Sequence, residues 1–283
     1  MTHTKANFLL VFVAMVWGGG FIATSAALES FSPFYTIMIR FIIAGLILGV
    51  MCFDEIYTLN KKEMVFSIFT GIILFGAFAF QTVGLQYTTA SKNAFLTATN
   101  VVFVPYLIWL IYKNKPKNKT IFASLLCFLG VGALTLNNNG FNFGLGELYS
   151  VVCALFFAIH IISLEKGKHI RLKPFTSIQM LTAGVIASIF ALSFESAPSD
   201  VNMSGWVSMM FLTLISTLLA YLLQTYAQKH TSANEVSMIL SCEAIFASIF
   251  SFIFLKEILT FKMIIGICMI FTAILIQNWR KGK

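Results

Sequence analysis

The chain has little charge and nowhere to put a soluble domain. Of its 283 residues, 11% are charged and 58% hydrophobic, and mean hydropathy is +0.87. Connections between apolar stretches run to about ten residues at most. There is no Walker A sequence, so ATP is not expected to drive the protein. HExxH, GxSxG and CxxC are also missing. The acids fall mostly at the ends of apolar stretches: Asp54, Glu55, Glu63, Glu147, Glu165, Glu195 and Asp200. An intramembrane enzyme needs paired catalytic groups at membrane depth, so no enzyme, cofactor or metal site is expected. The five cysteines (52, 127, 153, 242 and 268) read as small packing residues. A net charge of +8 suggests nucleic acid in a soluble protein; topology accounts for it here, and no nucleic-acid partner is expected.

What fills the chain is ten apolar stretches, near 6–26, 33–53, 64–86, 93–112, 120–138, 146–164, 174–194, 204–226, 234–255 and 261–279. Each is about the ~20 residues a spanning helix needs. Lys5 followed by an apolar run also fits a cleaved signal peptide. Removing it would invert the sidedness of every later lysine, so the stretch is taken as the first span. With the N-terminus inside, the inner loops are assigned Lys5; Lys61 and Lys62; Lys113, Lys115, Lys117 and Lys119; Lys166, Lys168, Arg171 and Lys173; Lys256 and Lys262; and Arg280, Lys281 and Lys283. These make 16 of the 19 basic residues, leaving Lys92 and Lys229 outside and Arg40 within a span. Retention of positive charge inside predicts both termini cytoplasmic, in a multi-pass cell-membrane protein.

The halves echo each other at an offset of 141–142. Pro33-Phe34-Tyr35-Thr36-Ile37 matches Pro174-Phe175-Thr176-Ser177-Ile178, and Gln86, Thr89 and Ala90 match Gln228, Thr231 and Ser232. Five spans per half is an odd number, so the second half enters the membrane upside down. The expected fold is all-α, with ten transmembrane helices in two inverted five-helix repeats, 1–138 and 139–283, around a central cavity. Such repeats give secondary transporters two related conformations around a midplane site.

The chain resembles drug/metabolite transporters of the EamA type over nearly its whole length. The resemblance rests on Trp17-Gly18, Arg40-Phe41 with Ala44-Gly45, and Gly84-Leu85-Gln86-Tyr87-Thr88-Thr89-Ala90. In the second half it rests on Glu243-Ala244-Ile245-Phe246-Ala247, Leu255-Lys256-Glu257 and Gly266. It implies two five-helix repeats around a cavity, and export or exchange of small metabolites such as amino acids.

Glu243 is the costliest residue. It lies about nine residues into the ninth stretch, roughly 13 Å deep, where a carboxylate costs on the order of 2.5–3.5 kcal/mol. It reads as binding a substrate amine, carrying a coupling proton, or bracing helices. Arg40, roughly 10 Å in from the outer face, can fork onto a substrate carboxylate or pair with Glu243. Asn100, with Thr97, Thr99 and Ser241, puts polar groups near the midplane of the fourth and ninth stretches. Trp17 with Gly18, Gly19 and Gly20 breaks the middle of the first stretch, and Pro105 should kink the fourth; gating and plain packing both fit. Gln81 and His160 are further candidates, and Tyr226, with Tyr221 and Gln224, is placed at an outer vestibule. Gly45 and Gly49 form a GxxxG that reads as a close helix contact. The expected partners are a small-molecule substrate, the bilayer and a coupling proton, with the chain a monomer or homodimer. The expected function is secondary transport of small amphipathic metabolites, amino acids or related compounds foremost. The alternative is organic cations such as quaternary amines, held by Glu243 and aromatic rings.

Overall fold

The computed structural model describes residues 3–113, 115–137, 140–141, 143–257 and 260–278. The expected repeat boundary at 138/139 and the basic residues Arg280, Lys281 and Lys283 lie outside the described residues. In chain order the helices are α1 (His3–Ala27), α2 (Pro33–Met51), a short α3 (Phe53–Ile56), α4 (Lys61–Leu85), α5 (Ala90–Ala98), α6 (Asn100–Tyr112) and α7 (Asn118–Thr135). A two-residue strand pair, β1 (Leu136–Asn137) antiparallel to β2 (Gly140–Phe141), precedes α8 (Leu145–Lys166). Then come α9 (Leu172–Phe194), α10 (Met203–Met210), a π-helical segment Phe211–Leu219, α11 (Ala220–Gln228), α12 (Ala233–Leu240), α13 (Glu243–Phe250), a second π-helical segment Ser251–Leu255 and α14 (Phe261–Asn278).

Eight helical runs are long and apolar enough to cross a membrane: α1, α2, α4, Ala90–Tyr112, α8, α9, Met203–Gln228 and Ala233–Leu255. The fifth and tenth expected spans appear as α7 and α14, whose described apolar cores are shorter, Asn118–Gly130 and Ile264–Ala273. These two pack on each other so closely that a Cβ on Gly130 would lie 2.8 Å from Ile270. Apolar side chains such as Val50, Phe128, Leu192 and Phe254 face outward, as a lipid-facing surface requires. Gly45 does mark a close contact: α2 lies against α9, Ser177 Oγ donates to Gly45 O at 2.9 Å, and a Cβ on Gly45 would meet Leu181 at 2.9 Å.

Local sequence explains where the helices start and stop. Pro33 occupies the first turn of α2, where its missing N–H costs nothing. Asn60 and Glu63 form a reciprocal capping box at the start of α4. Thr89 caps α5 by accepting from Lys92 N, and Ser232 caps α12 by accepting from Glu235 N. Lys113 and Lys256, the non-glycine residues of positive φ among those described (61° and 52°), terminate the corresponding helices.

Both of those helices are interrupted midway. The run Ala90–Tyr112 breaks at Thr99, and the run Ala233–Leu255 breaks at Ser241–Cys242. The two breaks touch: Ser241 Oγ donates to Ala98 O at 3.2 Å, and Asn100 Nδ2 donates to Thr97 O at 3.0 Å. Elements α5 and α13 cross against α1 at this level.

The fold corrects the lysine assignment. Lys229 Nζ donates to Ile170 O at 2.8 Å in the loop between α8 and α9, and His3 Nε2 meets Glu235 Oε2 at 3.0 Å. Lys229 therefore lies on the face that carries the N-terminus, not the opposite one. Glu257 Oε1 accepts from Ala90 N at 3.0 Å, which puts Lys256 and Lys262 on the face of Lys92, not that of the N-terminus. The threading had slipped by one loop. Among the described residues, twelve basic residues then fall on the N-terminal side and three on the other. The bias survives.

Candidate functional site

The interrupted helices, α1, α2, α4, α8, α11 and the π-helical segment Phe211–Leu219 line a small cavity of ≈ 40 Å³. Among the residues around it are Trp17, Gly20, Arg40, Gln81, Asn100 and Glu243, all singled out by the sequence. The volume holds about three water molecules at ~10–15 Å³ each, so a larger ligand needs the walls to move.

Arg40 is 3% exposed. Its Nε donates to Thr217 Oγ1 at 2.7 Å and its Nη2 to Ser216 Oγ at 3.4 Å. The guanidinium carbon lies 4.6 Å from the ring centre of Phe78 and 5.5 Å from that of Phe41. Hydroxyls and ring faces thus hold this cation in place of a carboxylate. Glu243, 5% exposed, is the first residue of α13 and takes part in no hydrogen bond or ion pair among the described residues. Arg40 and Glu243 line one cavity and do not pair, so the bridge between them entertained from the sequence is not formed. Glu243 was measured from the outer face; α12 starts on the N-terminal face, and its depth counts from there, still near mid-span.

Three further polar atoms around the cavity have no partner among the described residues: Asn100 Oδ1, Tyr221 OH and Gln224 Oε1. Asn100 Nδ2 is engaged by Thr97 O, which fixes the amide. Trp17 donates from Nε1 to Ser216 O at 2.9 Å, and its ring lies 5.0 Å from that of Tyr221. That carbonyl sits in the π-helical segment Phe211–Leu219.

Other expected residues lie elsewhere. His160 is behind the wall: Nε2 meets Gln179 Oε1 at 2.8 Å, and its ring contacts Tyr221 edge-on at 5.9 Å. Ser241 is spent on the break between the half-helices. Tyr226 is exposed at the N-terminal-face end of α11, its ring edge-on to that of His230 at 5.6 Å. The outer vestibule expected for it is corrected by the same one-loop slip, and Tyr221 and Gln224 border the central cavity instead. Gly18 and Gly19 do not break α1, which is helical throughout. A Cβ on Gly18 would lie 2.5 Å from Phe246 Cβ and 2.8 Å from Ala247 N, so Gly18 lets α13 approach. Pro105 lies within α6, but the helix is interrupted at Thr99, not there. Sequence reasoning missed Phe78, Ser216 and Thr217; two hydroxyls in an apolar run at i and i+1 give little signal.

A helical bundle with eight apolar membrane-length helical runs among the described residues and an apolar exterior is that of a multi-pass membrane protein, here with a polar cavity lined by Arg40 and Glu243. The sequence model of the EamA-like transporter family matches residues 4–136 and again 144–279, and the chain belongs to that family. An "uncharacterized transporter" of Archaeoglobus fulgidus is 32% identical, the match covering 97% of this chain and 86% of the relative. The "uncharacterized transporter YetK" of Bacillus subtilis is 26% identical over 94% of this chain and 84% of its own. A protein of known crystal structure superposes with a TM-score of 0.75 at 14% identity, covering 97% of this chain and 96% of the other, which speaks to the fold alone.

Proposed function

We propose that the chain is a secondary transporter of small zwitterionic metabolites, amino acids foremost, working by alternating access. In this reading it has ten spans in two inverted halves, 1–138 and 139–283, with both termini in the cytoplasm of the cell that carries it. The matched breaks at Thr99 and Ser241–Cys242, the matched caps at Thr89 and Ser232, and the matched left-handed ends at Lys113 and Lys256 support the two halves.

The observation that carries the substrate class is the unpaired couple Arg40 and Glu243 on one cavity. A buried charge needs a partner. A ligand with a carboxylate and an ammonium supplies both, and Arg40 retains Nη1 for the former. Organic cations, the other reading, would have Glu243 and the rings of Trp17 and Tyr221, but Arg40 would repel them across the same small space.

The test is counterflow of a labelled amino-acid pool into proteoliposomes, with unlabelled competitors. Amino acids should compete and simple ammonium compounds should not. Competition by quaternary amines with none by any amino acid would reject the zwitterion reading.

A further inference from the structure

Of the thirteen buried side-chain polar atoms without a partner among the described residues, seven sit on three helices. They are His160 Nδ1 on α8, Thr176 Oγ1 and Gln179 Nε2 on α9, and Tyr221 OH, Gln224 Oε1, Thr225 Oγ1 and Gln228 Oε1 on α11. The four on α11 are spaced i, i+3, i+4 and i+7, one face of a helix. Each is at most 3% exposed. That face packs toward α8 and α9, and Gln228 Nε2 donates to Ile161 O at 2.6 Å.

The stripe leads somewhere. Tyr221 and Gln224 border the central cavity; Gln228 ends α11, about 10 Å further along at 1.5 Å per residue. Beyond it, Lys229 Nζ reaches across to Ile170 O at the N-terminal face. Packing does not require this polarity. The same helix buries Ala220 and Ala227 in an apolar cluster with Ala158 and Ile161. Unpaired polar groups in a lipid-surrounded bundle are costly, and where they line up they mark a path that is wet in some conformation.

The first half carries the counterpart. Gln81 and Thr82 on α4 stand near the repeat positions of Gln224 and Thr225, and Gln86, exposed just past the end of α4, stands at that of Gln228. Gln81 borders the cavity, and Asn93 Nδ2 donates to its carbonyl at 3.1 Å. Beside it on α5, Ser91 Oγ and Asn93 Oδ1 are buried without partners. These groups lead toward the face opposite the N-terminus, where Gln86 is exposed.

We propose that the α11 stripe, and the polar groups of α4 and α5 in the first half, are the two half-routes by which solute passes between the central cavity and the two membrane faces, the α11 half being shut in this conformation. The inference rests on the transporter reading but not on which solute is carried.

The test is thiol accessibility in full-length protein whose five native cysteines have been replaced. Thr225→Cys, Gln228→Cys and Thr82→Cys are compared with Ala227→Cys, a buried apolar control on α11. A charged methanethiosulfonate reagent is applied from each side of sealed vesicles. Thr225→Cys and Gln228→Cys should react at least ~10-fold faster than Ala227→Cys from the N-terminal-face side. Thr82→Cys should react from the other. Thr225→Cys barely changes shape, so it remains informative if Gln228→Cys disturbs the contact to Ile161. Thr225→Cys and Gln228→Cys as unreactive as Ala227→Cys would overturn the proposal. The two readings fail separately: the labelling pattern without amino-acid transport rejects only the substrate class, and transport without the labelling pattern rejects only the route.

Discussion

Glu195 and Phe34 lie in different halves of the chain, yet the Phe34 amide donates to Glu195 Oε1 at 3.0 Å. Oε2 of the same carboxylate accepts from Tyr35 N at 3.0 Å and from Ser32 Oγ at 2.7 Å. The end of α9 therefore closes the start of α2, whose own Ser32 makes no side-chain cap. Glu257 does the same for α5 at Ala90 N. An anion at a helix N-terminus satisfies donors that have no partner within the helix and complements the dipole.

Glu195→Ala should destabilise the protein by about 1–2 kcal/mol, the usual worth of a good cap. Thermal unfolding in detergent would read this as a drop of a few degrees, with Glu195→Gln falling between. An unchanged midpoint for Glu195→Ala would mean the contact carries no weight.

Glu243→Gln should cut transport at least ~10-fold, the equivalent of about 1.4 kcal/mol, with protein level and elution profile preserved. Arg40→Gln should do the same for carboxylate-bearing substrates. Near-normal transport by correctly inserted Glu243→Gln would leave the carboxylate only a bracing role.

The repaired topology makes a prediction that the original loop count would get wrong. Single cysteines at Asn118 and His230 should label from one side of the membrane, and those at Asn202 and Phe261 from the other. Labelling of His230→Cys together with Asn202→Cys would restore the rejected threading.

Gly18→Ala and Gly19→Ala separate packing from hinging. An added methyl at Gly18 meets Phe246 and the backbone of Ala247, whereas at Gly19 its nearest neighbour is 3.6 Å away on Phe211. Gly18→Ala should cost about 1–3 kcal/mol through overpacking, and Gly19→Ala should be near neutral in stability and transport. Equal loss of transport in two stable proteins would argue for a hinge instead.

The sequence showed the helices and much of the cavity for the same reason. A polar residue in an apolar run is expensive, so Arg40, Gln81, Asn100 and Glu243 stand out by number alone. Phe78, Ser216 and Thr217 do not, because aromatic and hydroxyl residues are common in spans and only tertiary packing turns them to the site. The π-helical segment was illegible as well, since its apolar pattern reads as ordinary helix. Sidedness failed only at Lys229, Lys256 and Lys262, because the short loops that flank the ninth stretch look alike and their alternation was read in reverse. His160 and Tyr226 were chosen for their chemistry, but depth and facing, which periodicity leaves open, put them elsewhere.

The bond from Ser241 to Ala98 ties one interruption to the other. Two bent rods joined at their elbows do not swing separately: tilting the upper arm of one shifts the lower arm of its mate. The joint sits beside the cavity, so in the proposed alternating-access reading the pivot and the seat of the solute are neighbours. A passenger that pulls Asn100 or Glu243 toward itself would push on the fulcrum directly.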